Sequence, residues 1–309
     1  MNNKSNTVLL DPWNPVNKLL TEDDVYKIYE KGGFTKAREV IKINDLSKYQ
    51  TALVHSSYVR KFLFEENTHN DKKIEITQKP SNVLDLFDEL NDYENQEFMG
   101  DRVLEMCVAF YIYRKYPNST QGFKTILKTK IVKKNTLAKF AQHIGLPEHL
   151  IISKQVEENQ LTNGRNNIRI LEDVMEAFIC AIFLDQNETA MYSDVVNKLG
   201  NQRLIGPGWQ IANAFIENII EAVLDFEELI KMEDNYKQQL LIYYQKTFRI
   251  TPKYESISVE GPPNDRTYTL GVLDKYDKII CRASAKTKQD AEQLVSKYAL
   301  EYFNANPMK

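Results

Sequence analysis

The sequence predicts an all-α domain followed by a small α+β domain of order α-β-β-β-α. Three observations carry this. Two short acidic turns, in Glu94–Leu104 and in Ile170–Leu184, lie within helical runs with long apolar stretches. Apolar positions recur with a helical period through residues 127–144 and 209–229. Past residue 232 the pattern alternates over Tyr254–Val259, Thr267–Leu273 and Lys278–Ala283, between two further helical stretches.

The bulk numbers narrow the classes. The 309 residues are 42% hydrophobic and 27% charged, the balance of a soluble globular protein. A net charge of −3 excludes a uniformly basic nucleic-acid binder, so any basic surface is local. Cys107, Cys180 and Cys281 are widely spaced and odd in number, and the first two sit in apolar helical runs. Free thiols in a reducing, cytoplasmic compartment are expected. No Cys/His spacing fits zinc, no apolar run reaches membrane length, and the polar start is not a signal peptide.

In chain order, residues 1–20 carry Pro12, Pro15 and little periodicity, an arm that either packs or dangles. Thr21 with Asp24 three residues on starts a helix that Gly32-Gly33 stops. Glu65–Ser81 is polar and aperiodic, which fits a loop or a disordered insertion, and Val83–Phe87 is expected as a short packed helix. In the next helix Glu94, Glu97 and Asp101 fall at i, i+3 and i+7 on one face, leaving Phe98, Val103, Leu104 and Val108 for the core. Asp173 and Glu176 repeat the i, i+3 spacing ahead of an apolar run, Ala177–Leu184. Stacked like charges cost stability unless a cation lies among them. Two such helices face to face make an all-oxygen site suited to Mg²⁺ or Mn²⁺. A solvated acidic face is the competing reading of either stretch alone, and the apolar flanks of the second count against it.

Residues 118–155 hold seven lysines against Glu148. Leu127, Ile131, Leu137 or Ala138, Ala141 and Ile144 keep helical period, so one amphipathic helix is expected, ended by Gly145 and Pro147. Its outer lysines, Lys128, Lys130, Lys133 and Lys134, are candidate phosphate contacts, as is Arg169 four residues before Asp173. A plain solvated face is an equal reading of the lysines, and a salt bridge to a nearby acid an equal one of Arg169. After the turn Gly206-Pro207-Gly208, Trp209–Leu229 reads as another amphipathic helix. Asn235–Phe248 and Thr287–Phe303 are the helices that flank the three strands.

Glu94-Asn95-Gln96-Glu97-Phe98-Met99-Gly100-Asp101 resembles the E-x-L-E-F-L-G-D signature of the ribonuclease III family. Asp173–Asp185 is similar to that family's D-x-x-E-A-x-I-G-A-I-Y-L-D block, and Thr51–Tyr58 to its A-L-T-H-x-S-Y element. The resemblance divides the chain into an arm (1–20), an endonuclease domain (21–230, with an insertion at 59–93) and a double-stranded-RNA-binding domain (232–305). It implies a Mg²⁺-dependent endoribonuclease, with Mn²⁺ as substitute, that cleaves double-stranded RNA by two-metal-ion hydrolysis. The products would be 5′-phosphate and 3′-hydroxyl ends with 3′ overhangs, made by a homodimer joined through the nuclease domain.

The same resemblance implies Glu97, Asp101, Asp173 and Glu176 as metal ligands, with Glu94, Asp101 and Glu176 as catalytic acids. Gly261, Pro262 and Asn264 match the loop that enters the minor groove of duplex RNA, and Lys286 and Lys288 the phosphate-meeting start of the last helix. Departures fall on the RNA side. Asn264 stands where the family has His, Gln289 where a second lysine is usual, Leu241-Ile242 where Gln-Glu is common, and Gln121 where Glu often precedes Gly122. From Glu233 onward there are 12 basic and 10 acidic residues, so a weaker grip on RNA is expected. A catalytically silent RNA-binding scaffold on the same fold is the alternative. Retention of acids at all the ligand positions favours the enzyme.

Overall fold

The computed structural model describes residues 7–60, 73–88, 91–187, 206–226, 236–262 and 266–305. The chain forms two compact units, one of residues up to Tyr111 together with Lys128–Leu224, the other of Ile112–Leu127 together with residues from Asp225 onward.

The first unit is built around one buried helix. In chain order its elements are β1 (Thr7–Leu10), α1 (Glu22–Lys31), α2 (Ala37–Val40), α3 (Leu46–Thr51), β2 (Lys73–Ile76) and α4 (Glu94–Lys115). α5 (Gln121–Ile131), which with the last turn of α4 falls largely in the second unit, is followed by α6 (Lys134–Ile144), α7 (Lys154–Glu157), α8 (Ile168–Asn187) and α9 (Gly208–Val223). α8 is buried from Leu171 through Ile182 except at its polar positions and Glu176, because Val174, Met175, Ala177, Phe178, Ile179, Cys180, Ala181 and Ile182 cover most of its circumference. α6 and α9 pack against it. Its aromatic neighbours interlock: the Phe178 ring centroid lies 5.6 Å from Tyr49 and 6.2 Å from Phe215, and Tyr29 lies 5.6 Å from Phe215. The α8 residue Asp185 anchors the cluster's polar edge by accepting from the Tyr49 hydroxyl at 2.9 Å and from the Asn44 and Asp45 amides.

Local signals set the helix ends where expected. Thr21 caps α1 and forms the reciprocal box with Asp24, Gly33 turns the chain at φ 90°, and Gly145 closes α6 at φ 84°.

Several expectations are corrected. Of the two readings of the arm, packing holds, and the segment it packs on is a strand: Thr7–Leu10 pairs in parallel with Lys73–Ile76, which lies in the stretch read as a loop or disordered insertion. Trp13 is buried beside Val54, Tyr58, Val59 and Ile151, and its indole N–H donates to the Thr77 carbonyl at 2.7 Å. Arg165 completes the strap, donating to the Asn17 side chain and to the Leu150 carbonyl. Val83–Phe87 is not helical. Phe87 pairs with Val59 as an isolated parallel bridge, which leaves Val83 and Leu86 buried from an extended segment. The single helix expected through residues 118–155 is two, because Lys133 is extended at ψ 139° and starts α6 afresh after α5. The helix from residue 209 stops at Val223, short of Leu229. Phe98 does not face the core but is 72% exposed.

The C-terminal unit holds α10 (Tyr236–Phe248), β3 (Lys253–Glu260), β4 (Thr267–Leu273), β5 (Ile279–Ala285) and α11 (Lys288–Ala305). The strands form one antiparallel sheet in sequence order, with Glu260 opposite Thr267 and Tyr268 opposite Ala285. Leu240 and Tyr244 of α10 and Ala291, Val295, Ala299 and Phe303 of α11 bury against Leu270, Val272 and Ala283 of the sheet. Thr287 caps α11 by accepting from the Asp290 amide at 3.0 Å. The helix–three strands–helix order is the one expected.

Candidate active site

α4 and α8 touch backbone to backbone at the acid positions. A Cβ on Gly100 would lie 1.9 Å from the Glu176 carbonyl oxygen, so the close crossing requires glycine there. Helical period then does the rest. With Gly100 against α8, Glu97 and Asp101 flank the contact on one helix, and Asp173 lies one turn before Glu176 on the other. Asp92 accepts from the Glu94 amide and holds the start of α4, while Asn167 accepts from the Arg169 amide at the start of α8.

The carboxylates share one field. Burial, then Asp101, Glu172, Glu97 and Asp173, pushes Glu176 up to about 8. Burial, then Asp173, Glu94, Glu172 and Asp101, pushes Glu97 up to about 7. Burial also raises Asp173, opposed by a hydrogen bond from the Tyr93 hydroxyl to its Oδ2 at 3.1 Å. The sequence-predicted acids are therefore brought together, on two helices and within electrostatic reach. Among the described residues no group of three or more His, Cys, Asp or Glu side chains is set in a metal-holding arrangement.

The basic ridge is partly engaged by acids. Lys134 lies 2.6 Å from Glu172, and Lys128 lies 2.7 Å from Glu105, which also faces Arg102 at 3.6 Å. Arg102 in turn lies 2.8 Å from Asp101. Lys130 is half-buried, whereas Lys133, Lys134 and Arg169 are exposed. In the C-terminal unit Lys286 and Lys288 are exposed around the start of α11, and exposed Gly261 turns at φ 97° before Pro262. Asn264 lies outside the described residues. Leu241 is buried and Ile242 half-buried, so neither apolar replacement on α10 lies fully open to solvent.

Residue-type reasoning missed Tyr93. It precedes the acids and reads as one more apolar position. Only the fold brings its hydroxyl to Asp173.

Comparison with known proteins gives the family. The Ribonuclease-III-like family matches residues 45–202, and the double-stranded RNA binding motif matches residues 236–303. Ribonuclease 3 of Chlorobaculum tepidum is 30% identical over 82% of this chain and 76% of its own length. The chain belongs to the ribonuclease III family. Ribonuclease 3 of Enterococcus faecalis is also 30% identical, over 86% of this chain and 94% of its own. A solved ribonuclease III nuclease domain from Campylobacter jejuni, described for flexibility in a region involved in dimer formation, is 21% identical, covering 63% of this chain and 97% of that one with a TM-score of 0.41. As a member, the chain is a double-stranded-RNA-specific endoribonuclease, and nucleases of this family are metal-dependent.

Proposed function

We propose that the protein hydrolyses duplex RNA at the acidic junction of α4 and α8, leaving 5′-phosphate and 3′-hydroxyl ends with 3′ overhangs. The observation that carries this is the crossing at Gly100, which sets Glu97 and Asp101 in the same field as Asp173 and Glu176. The donor set fits a hard cation: it is all carboxylate, and burial, then repulsion among the acids, raises Glu97 and Glu176 well above the ordinary glutamate range.

Glu97, Asp101, Asp173 and Glu176 would hold Mg²⁺, with Mn²⁺ as substitute. When bound, a pair of such ions supplies charge neutralisation at the phosphate and lowers the pKa of a water. Glu94, at the exposed end of the acidic face, would orient that water. Exposed Lys133, Lys134 and Arg169 would hold flanking phosphates. The C-terminal unit would grip the duplex through Gly261, Pro262, Lys286 and Lys288.

An apolar stripe on α4 supports a homodimer. Phe98, Met106 and Phe110 recur at helical spacing and are 72%, 57% and 38% exposed, against the habit of such side chains. Paired copies would present two sites, one for each RNA strand, which accounts for the overhangs.

Glu176→Gln tests the reading. Cleavage of a perfect RNA duplex in Mg²⁺ should be abolished while duplex binding persists. A variant that cuts at the parental rate removes Glu176, and with it the site, from the chemistry.

A further inference from the structure

Tyr93 links the first turn of α4 to α8. Its hydroxyl donates to Asp173 Oδ2 at 3.1 Å, across 80 positions of sequence. The side chain is only 4% exposed. The phenol O–H is the donor of this bond, since a carboxylate oxygen only accepts.

The residue is held from behind at two points. Its amide donates to the Val54 carbonyl at 3.0 Å. Its ring meets the His55 imidazole edge-on, with centroids 5.7 Å apart and planes at 65°. His55 is itself fixed: its amide donates to the Ile151 carbonyl at 2.9 Å, and its Nδ1 accepts from the Ser57 amide at 3.0 Å. One helical turn on, Gln96 donates to the Lys48 carbonyl at 3.1 Å, a second tie from this turn of α4 to the preceding structure. The octet Thr51–Tyr58, for which the site's acids supply no role, thus forms the wall against which Tyr93 is braced.

We propose that Tyr93 is a positioning residue that fixes the Asp173 carboxylate for divalent-cation binding, with Val54 and His55 as its support. This rests on the reading of the four acids as a metal site. A neutral donor on one carboxylate oxygen settles the side chain's rotamer without cancelling its charge. Outer partners of this kind commonly tune metal affinity by about 10- to 100-fold. Without the phenol, Asp173 would have to be ordered by the cation itself, at a cost to affinity.

The test is Mn²⁺ binding to the full chain without RNA, monitored by electron paramagnetic resonance of the free ion, for the parent, Tyr93→Phe, Asp173→Asn and the double variant. Phenylalanine keeps the ring against His55, and thermal unfolding in chelator reports whether packing is kept. The expected result is Mn²⁺ binding about tenfold weaker in Tyr93→Phe, with no further loss when that change is added to Asp173→Asn. The Mg²⁺ concentration for half-maximal cleavage should rise by a similar factor, with kcat at saturating Mg²⁺ retained. Parental Mn²⁺ affinity in Tyr93→Phe overturns the inference alone, as does equal weakening in the Asp173→Asn background. Absence of Mn²⁺ binding by the parent protein overturns the metal-site reading and this inference with it.

Discussion

Gly100 sets the distance between the two acidic turns, and its contrast with Gly122 makes a sharp experiment. A methyl group at Gly100 meets the Glu176 carbonyl, whereas one on Gly122 meets nothing within 4 Å. Gly100→Ala should therefore destabilise the protein by about 1–3 kcal/mol, the usual cost of overpacking, and reduce cleavage further by parting the acids. Gly122→Ala, in α5, should be neutral or stabilising by up to about 1 kcal/mol. Thermal unfolding and a duplex cleavage assay check both. Equal behaviour of the two variants would mean that α4 and α8 can separate without consequence. At this scale the acids were legible because helical period alone places Glu94, Glu97 and Asp101 on one face. Tyr93 was not, since its partner Asp173 is remote in sequence and only the crossing brings the two together.

Among elements, α4 serves two faces at once. One carries Gly100 and the acids, and the other carries the exposed stripe of Phe98, Met106 and Phe110. Placing a charge on the stripe should split the proposed homodimer: Phe98→Asp should sediment at the 36.0 kDa chain mass where the parent sediments at twice it. A parent that is monomeric at micromolar concentration, or a variant that stays paired, would sink the dimer. Sequence periodicity assigned Phe98 to the interior because an apolar residue on an amphipathic helix usually points there; a helix with two apolar faces defeats that rule. The strands of the C-terminal sheet were readable from alternation and turn residues, since each pairs with its neighbour in sequence. Lys73–Ile76 was unreadable because its parallel partner, Thr7–Leu10, is distant and no turn announces it. The break at Lys133 was hidden because α5 and α6 keep similar spacing on either side.

For the whole molecule, the acidic junction couples stability to pH. Glu97 and Glu176 rise from the ordinary 4.5 to about 7 and about 8 in the folded state, so between these limits the folded chain binds more protons than the unfolded one. Their contribution is present below the unfolded value and lost as pH rises through the folded values. The thermal midpoint in chelator should fall from about pH 5 to about pH 8, with most of the effect from Glu176 because Glu97 is more exposed to screening solvent. Glu176→Gln should flatten the decline, and Mn²⁺ should reverse it in the parent. A parental midpoint that climbs over this range would contradict the shared field. The arm bears on how the molecule is made. Trp13 meets Thr77 across 64 positions, and Thr7–Leu10 finds its strand partner equally late. During folding, this tryptophan-bearing segment therefore stays undocked until the chain around Lys73–Thr77 is in place to receive it. Its docking is a late closure of a long loop, not a nucleus on which the helices assemble.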